Sequence, residues 1–145
     1  MQLANNEELD TFLKIHPSIK MMEVLMIDMN GIIRCKRIPR SEFAELFTEG
    51  LKSPASTVLL NVKGEFCDEL DKADLDGDPD RLIRPIKNTL SIIPWLESET
   101  AQVLSTFTEL NGEPNLFDSR NVLINSLKPL YLSLIHISEP TRRPK

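Results

Sequence analysis

Residues 28–39 read Asp-Met-Asn-Gly-Ile-Ile-Arg-Cys-Lys-Arg-Ile-Pro, and the reading of this stretch decides the fold. Asn30-Gly31 predicts a two-residue hairpin turn, because a turn that matches strand twist needs positive φ at both central positions. Apolar runs flank it, Met21 to Ile27 before and Ile32 to Ile38 after. Both suit a pleated surface. The returning strand carries Arg34, Lys36 and Arg37, and Pro39 ends it by withholding a backbone donor.

Downstream, Ser41 offers an N-cap, Phe43, Leu46 and Phe47 make one apolar stripe, and Gly50 is placed to end that helix in the left-handed conformation. A hairpin followed by a helix begins a β-grasp, a helix laid across a mixed sheet. Ser56 to Val62 is expected to continue the sheet, and Lys63-Gly64 reads as a turn. Upstream, Asn5 or Asn6 caps a short helix with Glu7 and Glu8 in its first turn and Leu9, Phe12 and Leu13 on one side. Pro17 closes it. His16 at that end reads as a capping or surface residue rather than a catalyst.

Residues 67–80 are irregular and acidic. Placing Gly77 at the sixth position of a calcium loop puts Lys72 first and Ile83 twelfth, where a carboxylate and a glutamate belong, so a solvated Gly-Asp-Pro-Asp turn is the better reading. Arg81 to Ile86, Thr89 to Trp95 and Ala101 to Phe107 read as further strands, with Pro85 and Pro94 confining the first two to edge or irregular positions. Trp95 reads as a core or interface anchor. Asn111-Gly112 is a turn. Asp118 caps a helix with Val122, Leu123 and Leu127 on one side.

The 145 residues, 41% hydrophobic and 27% charged, suit a soluble globular domain with a sizeable core. A formal charge of -5 argues against a general nucleic-acid binder. The basic cluster Arg34, Lys36 and Arg37 reads as a solvated or intersubunit strand face before a phosphate site. Cys35 and Cys67 make no disulfide framework, and with two histidines, His16 and His136, a zinc site is poorly supported. No signal peptide or membrane-length apolar run is visible, so a reduced, cytoplasmic protein is expected.

The hairpin resembles the opening hairpin of the glutamine synthetase family, especially the branch of γ-glutamylputrescine synthetases and related γ-glutamyl-amine ligases. Further motifs in the family's order support it: Phe-Leu-Lys-Ile-His-Pro-Ser-Ile-Lys at 12–20, Gly-Asp-Pro-Asp at 77–80, Pro94-Trp95, Ala-Gln-Val-Leu at 101–104, Asn-Gly-Glu-Pro at 111–114 and Asp-Ser-Arg-Asn-Val-Leu at 118–123. Two departures are Cys35, where the family often has glycine, and Ser119, where it often has proline. Cys35 is tolerable if the backbone there is extended.

The resemblance implies an α+β fold: a short helix over 1–19, a β-grasp domain over 20–115, and the start of a truncated catalytic domain over 116–132. Residues 133–142 resemble a translated sequencing-adapter peptide, so 133–145 are set aside as an artificial tail. The implied activity of the parent is ATP-dependent joining of glutamate to ammonia or an amine such as putrescine, through γ-glutamyl phosphate, with Mg2+ or Mn2+ as metal. The family's Glu-x-Glu metal ligands and remaining catalytic residues are expected beyond this piece. The fragment is therefore expected to be inactive, to carry no catalytic or metal residue, and to bind neither cofactor tightly. The parent is expected to be a ring-shaped homo-oligomer, with no nucleic acid or membrane partner.

In such a ring the loop after the second helix, here residues 52–56, faces a neighbour's active site, which makes Ser53 and Ser56 the candidate substrate-binding residues. Ordinary loop capping is the plainer reading of both. No carboxylate occurs between Gly50 and Val62, which tilts the substrate toward an amine larger than ammonia. The alternative function is a stand-alone β-grasp protein-interaction module.

Overall fold

Residues 1–65, 77–96 and 99–138 are described by the computed structural model, the last five through their backbone alone. The first helix, α1 (Asn6–Ile15), is capped by Asn5, whose side chain accepts the Glu8 N–H at 3.1 Å. It stops at His16, ahead of Pro17, as the proline requires. Strands β1 (Met21–Ile27) and β2 (Ile33–Pro39) form the antiparallel hairpin, with Leu25 opposite Cys35. Cys35 thus lies in extended backbone, where a side chain in place of glycine is unstrained.

The turn differs from the expected two-residue form. Gly31 takes φ +77° but Asn30 does not take positive φ. The Gly31 N–H bonds to the Asp28 carbonyl, and the Asp28 N–H to the Ile32 carbonyl, each at 3.0 Å. This is the pattern of a turn over Met29–Asn30 followed by a left-handed residue. Its cause is the Asp28 carboxylate, whose Oδ1 accepts both the Asn30 and Ile32 N–H groups at 2.9 Å.

A single 3-10 turn, Arg40–Glu42, then leads into α2 (Phe43–Thr48), so Ser41 is not the side-chain cap it was expected to be. Six residues are too few to hold a helix in water. Burial of Phe43, Leu46 and Phe47, worth about 1.5–3 kcal/mol each, holds this one. Gly50 follows at φ +87°.

The next strand is β3 (Leu51–Pro54), earlier than expected, and the expected strand at 56–62 is instead a 3-10 helix over Ala55–Leu59. Ala55, Ser56, Val58 and Leu59 are all buried. That spacing belongs to a helical turn, not to a strand that alternates between two faces.

Strands β4 (Asp80–Pro85), β5 (Ser91–Ile92) and β6 (Thr100–Thr108) complete a sheet of order β2-β1-β6-β4-β3, with β5 also on β6. β1 and β6 run parallel and the other pairs are antiparallel. β4 is internal, not the edge strand that Pro85 suggested. The proline is tolerated because β3 pairs only with Asp80 to Ile83, so at Pro85 no neighbour on that side asks for an N–H. The expected strand at 89–95 shrinks to Ser91–Ile92, and Trp95 stands 72% exposed beside Pro94, outside the core.

The core lies on one face of the sheet, between Met22, Val24, Val103 and Phe107 and the helix residues Leu9, Phe43 and Leu46. A curled mixed sheet with helices against it is an α+β architecture consistent with a β-grasp. The last helix, α3 (Ser119–Ser138), continues through residues 132 and 133 with Pro129 inside it. Asp118 caps it, accepting the Arg120 N–H at 2.9 Å. The same carboxylate accepts the Thr106 hydroxyl and the Phe107 N–H, both at 2.7 Å, and so ties α3 to β6. The acidic stretch 67–76, with Cys67, and the side chains from residue 134 onward fall outside what is described.

Candidate functional site

The stretch 52–56 is held from two sides. On one side is the Gly-Asp-Pro-Asp turn. Asp78 takes φ 50°, a left-handed conformation that a short polar side chain tolerates. From there its Oδ1 accepts the Ser56 N–H at 2.9 Å and its Oδ2 accepts the Ser56 hydroxyl at 2.7 Å. The Ala55 N–H donates to the Pro79 carbonyl at 3.3 Å. The Ser53 and Thr57 hydroxyls lie 3.2 Å apart.

On the other side is the hairpin turn. The Met29 N–H donates to the Val58 carbonyl at 2.9 Å. Asn30 Nδ2 donates to the Leu60 carbonyl at 2.7 Å, and Arg34 Nη2 to the Asn61 carbonyl at 2.9 Å. Arg34 can reach because Asp28 holds it, with Nε 2.9 Å from Oδ2. Burial pushes the Asp28 carboxyl up, but the Ile32 N–H, the Arg34 guanidinium and the Asn30 N–H outweigh it and hold the group below its ordinary value.

Both candidate serines are buried, and both hydroxyls are engaged within the chain. The side chains that the strand turns outward are Lys52 and Pro54. The segment is not without a carboxylate either, since Asp78 enters it from 22 positions away. A search for acids within 50–62 misses it. The sequence marks Asp78-Pro79 as a turn, but no local pattern says that its carboxylate reaches Ser56.

The basic strand residues go to separate places. Arg34 is paired with Asp28, and Arg37 with Glu23 across the hairpin. Lys36 Nζ donates to the Lys52 carbonyl at 3.4 Å. Cys35 is exposed, yet burial of its sulfur and the neighbouring Glu23 raise its pKa, with Arg37 offsetting part of this, so it is a neutral thiol rather than a nucleophile. The His16 ring lies against Phe12, with centroids 4.8 Å apart. Among the described residues, no three of His, Cys, Asp and Glu converge to hold a metal ion. Among them, too, no helix is long and apolar enough to cross a membrane.

No family model matches the chain. It is similar to γ-glutamylputrescine synthetase PuuA of Escherichia coli strain K12, at 31% identity over 120 residues, covering 83% of this chain and 25% of that protein. It is similar to a glutamate–isopropylamine ligase of a Pseudomonas species, at 31% identity over 70% of this chain and 22% of that one. Lengsin of Canis lupus familiaris is 29% identical over 71% of this chain and 18% of its own length. The chain thus spans about a quarter or less of the length of the relatives it matches.

Proposed function

The chain belongs to the glutamine synthetase family, and from that premise we propose that it is the amino-terminal β-grasp lobe of an ATP-dependent ligase that joins glutamate to ammonia or an amine. The observation that carries this reading is the match of 83% of the chain to one-quarter of a γ-glutamyl-amine ligase. In the whole enzyme ATP, with Mg2+ or Mn2+, supplies the phosphoryl group that activates the γ-carboxyl of glutamate. The residues described here do not supply that metal's ligands in this reading.

The lobe's part is presentation. Asp78 and the hairpin turn fix the segment 52–59 from both sides, so that Lys52 and Pro54 are offered outward to a neighbouring subunit of a ring. Ser53 and Ser56 shape that segment from within. A rigid support of this kind matters because a small misplacement of a positioning element costs rate. The test is to express the full-length ligase that contains these residues and follow ADP release with glutamate plus ammonia, putrescine or isopropylamine. Amine-dependent ADP release with formation of the γ-glutamyl amide is expected. Absence of product with all three acceptors overturns the reading. The 145-residue chain by itself is expected to give no product.

A further inference from the structure

No further inference is drawn: the strongest candidate, the apolar surface of α3 on which Val122, Leu123, Leu130 and Tyr131 stand exposed, carries nothing because nothing in the structure shows what covers it.

Discussion

Asp28 and Arg34 form an ion pair inside the hairpin, with Nη2 2.8 Å from Oδ2, the Asp28 side chain wholly buried and that of Arg34 23% exposed. The pair does two things at once. Asp28 shapes the turn through the Asn30 and Ile32 N–H groups, and Arg34 carries the same turn onto the chain at Asn61. The hairpin and the segment that follows α2 are therefore one mechanical unit.

Arg34→Met is expected to destabilise the fold by about 3–5 kcal/mol, because it leaves a buried carboxylate without its cation. Urea unfolding measures this. Asp28→Asn with Arg34→Met together should cost less than the sum of the two single changes, since they remove one interaction. Additive losses would show that the two residues act independently.

Acid should weaken the fold through the same carboxylate. Its pKa in the folded chain lies below the ordinary 3.8, so the unfolded chain takes up the proton first as pH falls. The stabilisation is complete above the unfolded value and is lost as pH drops from there through the folded one. The urea midpoint of the natural chain should decline over that window. Asp28→Asn should be less stable at neutral pH and flatter below pH ~4. Parallel curves for the two proteins would assign acid sensitivity to other carboxylates.

The hairpin was legible because an Asn-Gly pair between two β-rich runs is a local signal. Its turn geometry was not, because a buried carboxylate captured two N–H groups and moved the turn back by one residue. The stretch after α2 was misread for a similar reason. Thr57 and Val58 favour a strand by type, but the cap from Asp78 comes from 22 positions away and winds the chain into a 3-10 turn. The β1–β6 parallel pairing unites residues about 80 positions apart, and no local pattern announces it. Asp118 was readable as a cap. Its second task, accepting Thr106 and Phe107, needed the folded sheet. For the candidate site, Ser53 and Ser56 were located by resemblance, whereas Asp78 required the tertiary structure.

Two glycines with similar backbone angles should respond differently to alanine. A Cβ at Gly50 would lie 2.5 Å from Arg84 Cδ and 2.8 Å from the Ile83 carbonyl oxygen. One at Gly31 would meet nothing within 4 Å. Gly31→Ala should therefore cost only the left-handed conformation, about 1–2 kcal/mol. Gly50→Ala should cost clearly more, and trimming Arg84 should recover only part of it, because the Ile83 oxygen is backbone. Thermal unfolding of the three variants decides this, and equal losses at both glycines would mean that the Ile83 contact relaxes away.

The bond between Ser56 and Asp78 separates two roles for that segment. Ser56→Ala removes one hydrogen bond but leaves the Ser56 N–H donating to Asp78, so the loss should be about 1 kcal/mol. Asp78→Ala removes both bonds and strands a part-buried N–H, so it should cost about 1–3 kcal/mol and speed amide exchange at position 56. In the full-length ligase, a segment that acts by being held rigid should lose more turnover with Asp78→Ala than with Ser56→Ala. A serine that touches the substrate should show the reverse order, with a raised KM for the amine. Amide exchange on the 145-residue chain and steady-state kinetics on the ligase read the two roles independently.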